Sequence, residues 1–173
     1  MSPAHRIYAV DPGGTTGHAV VEGGTVRMAG AVPRSDALEV LTAAFVDYRP
    51  HLVVLEGWEN QGRRPNIHAA YANQVLGYVK ALAHVYKVPL VETYASVWKP
   101  AMRAGALAIP GDRYGVPTVR KESRALALRL ALELGGWPAD TFEGLPRRDW
   151  PHVIDALALA VWGWKYGARR PRA

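Results

Sequence analysis

Apolar positions along the chain change period several times, and each change marks an element. Residues 6–10 form a short run rich in β-formers that ends on Asp11. Pro12, Gly13 and Gly14 turn the chain, and the apolar run Thr16–Val21 returns as a hairpin partner. Gly23 and Gly24 introduce a third run, Thr25–Val32, so residues 6–32 predict an antiparallel meander. Beyond Ser35, a candidate N-cap, the spacing becomes helical: Ala37, Leu38, Leu41, Ala44, Phe45 and Tyr48 share one face. Residues 51–55 then read as a strand buried on both sides, and that strand ends on Glu56.

The second half alternates in the same way. A helix is predicted over about residues 67–86, and it is apolar on two faces. One stripe runs through Ala72, Leu76, Val79, Ala83 and Tyr86, the other through Tyr71, Val75, Tyr78, Leu82 and Val85. A helix lying on a sheet needs one stripe; the second calls for a two-fold partner helix or for cover from the same chain. Residues 89–93 read as another strand, and Ser96 as the cap of a helix holding Trp98, Lys99 and Met102. Residues 104–117 read as a loop. Thr118 is the candidate cap of a long helix with Leu126, Leu130 and Leu134 inward and Arg120, Lys121, Arg124 and Arg129 outward. An irregular stretch, 137–148, leads to Asp149 and a terminal helix with Pro151 in its first turn.

Strand, helix and strand in that order return parallel and right-handed. The expected class is therefore α/β, with the 51–55 strand beside the first. Asp11 and Glu56 then meet at the carboxyl ends of two neighbouring strands, where open α/β sheets keep their sites. His152 and Asp155, three apart, share a face of the terminal helix, and Ala156, Ala158 and Ala160 let that helix approach a sheet closely. A carboxylate buried without a partner costs several kcal/mol, so acids in such places need a cation.

Composition narrows what that cation serves. The chain has 173 residues, enough for one domain that buries most of its apolar surface, with a basic tail at 169–173. No cysteine is present, which excludes disulfides and thiolate metal sites and fits the cytoplasm. The longest unbroken apolar run, Ala156–Gly163, is too short to span a membrane, and no secretory signal is expected. Lys and Arg number 21 against 15 Asp and Glu, and 16 of the cations are Arg, which suits bidentate phosphate contacts. That balance favours a polyanionic partner. Arg63 and Arg64, in a glycine- and arginine-rich stretch beside the site, together with Arg120 and Arg124, are the candidate phosphate contacts; Trp58 is a candidate for stacking on a base. Hard oxygen donors at Asp11, Glu56 and Asp155, with His152 alongside, point to Mg²⁺ or Mn²⁺. Two such ions promote phosphodiester hydrolysis, and with a basic surface the expectation is a nuclease.

DPGGTTG at 11–17, LVVLE at 52–56 and HVIDALALA at 152–160 resemble the RuvC-type Holliday junction resolvases, of the ribonuclease H-like fold. The likeness runs from about residue 6 to 166. It implies a five-stranded mixed sheet flanked by helices on both faces, a homodimer, and paired symmetric nicks in four-way junction DNA that leave 5′-phosphate and 3′-hydroxyl ends. The family's metal-binding carboxylates correspond to Asp11, Glu56 and Asp155, and His152 stands where many members carry a fourth acid. Lys99 and Lys121 resemble the family's active-site basic residues, Lys121 as the group that steadies the phosphate. Trp58 lies one place before the family's aromatic wedge, a slot filled here by Glu59. A branched-DNA or RNA binder without catalysis, or a general nuclease on the same fold, is the alternative. DPGGTTG also resembles the first phosphate loop of actin-like sugar kinases, but 173 residues leave no room for their second domain, so no nucleotide cofactor is expected.

Overall fold

A computed structural model describes residues 5–58 and 67–167. Strands β1 (Arg6–Asp11), β2 (Thr15–Glu22) and β3 (Thr25–Pro33) form the meander, joined to β4 (Leu52–Gly57) and β5 (Leu90–Tyr94) in the order β3-β2-β1-β4-β5. β1, β2 and β3 are antiparallel neighbours, whereas β1, β4 and β5 run parallel. This is the expected α/β architecture with a five-stranded mixed sheet and helices on both faces.

Each face has its own core, because successive strand residues point to opposite sides. Ile7, Ala9 and Val54 pack with Trp98, Leu126, Leu130 and Leu157 on one side. Those partners come from α3 (Ala95–Arg103), α4 (Lys121–Leu134) and α5 (Trp150–Trp162). On the other side Tyr8, Val10, Val53 and Leu55 pack with Leu41, Phe45 and Val79, from α1 (Arg34–Tyr48) and α2 (Ile67–Val85). Alanines make α5 slim, and Val153, Ile154 and the unbroken run Ala156–Val161 are all buried.

Four details differ from the sequence pattern. Ser35 does not cap α1: the helix begins at Arg34, straight out of β3, and the Arg34 N–H donates to the Gly14 carbonyl at 3.1 Å, so backbone does the work of a cap. Leu38 is 48% exposed, off the buried face of α1. Likewise α3 and α4 follow Tyr94 and Arg120, with no side-chain cap at either, so neither Ser96 nor Thr118 holds that position. On α2, Val75 is buried with Ala72, Leu76, Val79 and Ala83, whereas Tyr86 lies past the helix end and is 42% exposed. The second stripe is therefore narrower than predicted. The Arg34 guanidinium covers the ring of Tyr71 at 4.1 Å, and Val85 is left 70% exposed.

The 104–117 connection contains two short 3₁₀ turns, 106–108 and 111–114. The 137–148 stretch is irregular as expected and is pinned by stacked rings: Phe142 lies between Trp137 at 5.6 Å and Trp150 at 4.4 Å. No helix among the described residues is long and apolar enough to cross a membrane.

Candidate active site

Asp11 is the last residue of β1, paired across the meander with Gly17 of β2. On its other side β1 pairs with β4 through Val10 and Leu55, so Glu56, the next residue of β4, comes level with Asp11. Both side chains stand at the carboxyl edge of the two central parallel strands, the place where side chains escape the sheet's own packing. The first turns of α5 bring His152 and Asp155 over this edge. His152 Nδ1 lies 3.7 Å from Asp11 Oδ2.

From the far side α3, which starts where β5 ends, adds two neighbouring residues. Lys99 Nζ donates to Asp155 Oδ2 at 2.8 Å. The buried indole of Trp98 donates from Nε1 to Glu56 Oε2, also at 2.8 Å. Sequence reading placed Trp98 in a helix but gave it no part in the site. The signal was there: a tryptophan in a core brings an N–H that must find an acceptor. Beside Lys99 and close to a strand end, the acceptor is a site carboxylate.

The electrostatics are those of crowded acids. Burial, and then the charge of Asp11, pushes Glu56 up to about 7; Asp155 adds to the rise, while Lys99 and the Trp98 hydrogen bond oppose it. Asp155 is raised for the same reasons, burial first and Asp11 second, against the pull of Lys99 and His152. Burial lowers Lys99, but Asp155 and Glu56 outweigh it and the ammonium is held more firmly than usual. His152 is raised by its interaction with Asp11, against burial. Asp11 thus makes both Glu56 and Asp155 harder to ionise, and Asp155 adds to the effect on Glu56, as expected where carboxylates crowd together.

Among the described residues, no three His, Asp or Glu side chains form a group that could hold a metal ion as they lie. Lys99 and Trp98 hold Asp155 and Glu56 instead. In chemistry the donor set, three oxygen ligands that repel one another and an imidazole, suits a hard divalent cation, with the Lys99 ammonium supplying part of the missing charge.

None of the other described candidate residues shares a described hydrogen bond or ion pair with this cluster. Trp58 follows β4 directly and is 46% exposed. Arg120, Lys121 and Arg124 are exposed at the start of α4, and none of the described hydrogen bonds or ion pairs ties them to the acids. Arg129, expected to face outward with them, is instead half-buried and paired with Glu133 at 2.7 Å. Arg63, Arg64 and the 169–173 tail lie outside the described residues.

No family model matches the chain, and no curated protein does. Among solved structures it is similar to Thermus thermophilus RuvC in complex with a Holliday junction substrate, with a TM-score of 0.64 and 21% identity over 94% of this chain and 95% of that one. A further Thermus thermophilus RuvC structure matches at a TM-score of 0.62 and 23% identity, with the same coverage. The chain therefore has the RuvC form of the ribonuclease H-like fold.

Proposed function

We propose that the chain is a divalent-metal-dependent endonuclease that resolves four-way (Holliday) DNA junctions by paired symmetric nicks, leaving 5′-phosphate and 3′-hydroxyl ends. The observation that carries this reading is the meeting of Asp11, Glu56 and Asp155, spread over 145 positions of sequence, at one strand edge of a RuvC-like fold. Crowded carboxylates of this kind are relieved either by taking up a proton or by a bound cation, and a divalent cation does so at the pH where all three are ionised.

Mg²⁺ or Mn²⁺, two ions per site, would be held by Asp11 in the centre and by Glu56 and Asp155 on either side, with His152 as a further nitrogen donor or proton carrier. Such ions, when bound, polarise a phosphate and ease the ionisation of water. The chain's own groups do the rest. Trp98 keeps one Glu56 oxygen engaged, which fixes the direction of the other. Lys99, released from Asp155, would take a phosphate oxygen, and Lys121 would steady the developing charge. Arg63, Arg64, Arg120 and Arg124 would follow the DNA backbone, with Trp58 against an exposed base. A second copy packed along α2 would cover Val85 and Ile67, both well exposed in the single chain, and give the two symmetric sites that paired nicks require.

One observation favours a second reading. The bond between Lys99 and Asp155 neutralises an acid without metal, as a branched-DNA binder lacking catalysis would need. Cleavage of a four-way junction beside linear duplex, with and without chelator, separates the readings. Cutting of the junction that stops with chelator supports the resolvase, equal cutting of both substrates a general nuclease, and tight binding without cutting the non-catalytic binder.

A further inference from the structure

Glycine inside a strand weakens it unless something needs the space its missing side chain leaves. Gly17 lies within β2, and its backbone is outside the left-handed region, so conformation alone does not call for glycine there. Space does. A Cβ on Gly17 would stand 2.1 Å from the carbonyl oxygen of His152, 2.6 Å from its carbonyl carbon and 3.2 Å from its Cβ, where ordinary contact begins at 3.4 Å. The obstacle is mainly helix backbone, which cannot swing aside as a side chain can.

Register turns this contact into a statement about the site. Gly17 is the cross-strand partner of Asp11, so the first turn of α5 rests on the residue directly beside the central acid. That seat brings His152 Nδ1 to 3.7 Å from Asp11 Oδ2 and carries Asp155, one turn on, to Lys99. We infer that Gly17 is a positioning residue: its missing side chain sets the depth at which α5 lies on the sheet, and through it the approach of His152 to Asp11.

The far end of the same helix supplies an internal control. Gly163, which follows α5, also lies against the sheet, and a Cβ there would meet Val54 Cγ2 at 2.4 Å and Ile7 Cγ2 at 3.3 Å. Both glycines therefore seat one helix on one sheet. Only Gly17 does so beside the acids.

The effect on cleavage rests on the proposed nuclease activity; the effect on the place of His152 does not. Gly17→Ala and Gly163→Ala are compared with the unaltered chain by thermal unfolding, by NMR of the ¹⁵N-labelled His152 imidazole, and by junction cleavage. Both variants are expected to melt lower. Gly17→Ala alone should move the His152 ring signals, and it should slow cleavage on the order of 10²-fold, the usual effect of misplacing a group by about an ångström. Imidazole signals that coincide with those of the unaltered chain, or that move equally in Gly163→Ala, overturn the proposal. An unaltered chain that does not cut defeats only the nuclease reading, and the imidazole comparison still decides this one. Should Gly17→Ala fail to fold, a crystal structure of the unaltered chain decides. A His152 carbonyl in contact with Gly17 sustains the inference, and one that leaves room for a methyl group overturns it.

Discussion

Two buried polar clusters lie in this sheet, and they behave in opposite ways. The Tyr8 hydroxyl and His18 Nδ1 meet at 3.4 Å between the central strands and the α1–α2 layer, both almost wholly buried. Burial alone raises Tyr8 far above its usual value and lowers His18 to about 4, so both are neutral and satisfy each other. At the strand ends, Asp11, Glu56 and Asp155 meet with Lys99 and His152, and mutual repulsion adds to burial in raising Glu56 and Asp155. The first cluster is complete without any other molecule. The second is charged and half-open, with Lys99 and Trp98 already bonded to two of its acids. A buried polar group by itself thus says little about function; unrelieved charge at an open edge says much.

Removing charge should separate the two most sharply. Asp155→Asn is expected to cut junction cleavage by several kcal/mol in the barrier, on the order of 10²- to 10³-fold, while a gel-shift assay still detects junction binding. A variant that cuts normally would take Asp155 out of the site.

Acid and alkali should act on the two clusters in opposite directions. Glu56 has a folded pKa of about 7 against an ordinary 4.5, so its proton favours the folded state. That stability is complete below pH 4.5 and is lost as pH rises through about 7. His18 is depressed from 6.5 to about 4. Its contribution is complete above pH 6.5 and is lost as pH falls through about 4. Each is worth at most about 3 kcal/mol. In urea unfolding without divalent ions, Glu56→Gln should remove much of the alkaline loss and leave the acid loss alone. If both arms of the profile change together, the clusters are coupled and the contrast fails.

Trp98→Phe is a milder test. It keeps most of the ring but loses the N–H bonded to Glu56, and outer-shell losses of this kind weaken metal binding by about 10- to 100-fold. Mn²⁺ titration followed by calorimetry measures it; unchanged affinity would leave Trp98 a packing residue only. The smallest effect belongs to Tyr8→Phe, which strips the hydroxyl from His18. It should cost about 1 kcal/mol in urea unfolding and leave the cleavage rate alone, and slower cleavage would show that the two clusters communicate.

Much of the architecture was legible because it follows from local period. The meander, the buried strand ending at Glu56 and the alanine-rich last helix are all written in residue spacing, and so is the chance of Asp11 meeting Glu56. Helix starts were harder. Ser35, Ser96 and Thr118 are good caps in isolation, yet the helices open at Arg34, Ala95 and Lys121, and α1 starts where backbone of the first hairpin satisfies it. The two stripes of α2 were distinct on a helical wheel, but Val75 packs into the core because α1 and the sheet together embrace more of the helix than one face.

Residue types and their spacing determined by themselves that acids on two strands and one helix would be available, and that the two strand acids would stand where apolar runs end. What the tertiary structure decided is which neighbours those acids have. Lys99 bonds Asp155, Trp98 bonds Glu56, and Gly17 admits the backbone of His152. These are contacts between residues 42 to 135 positions apart, where local propensity has no reach. Only the closed packing of helix on sheet can tell a glycine that turns the chain from one that makes room for it.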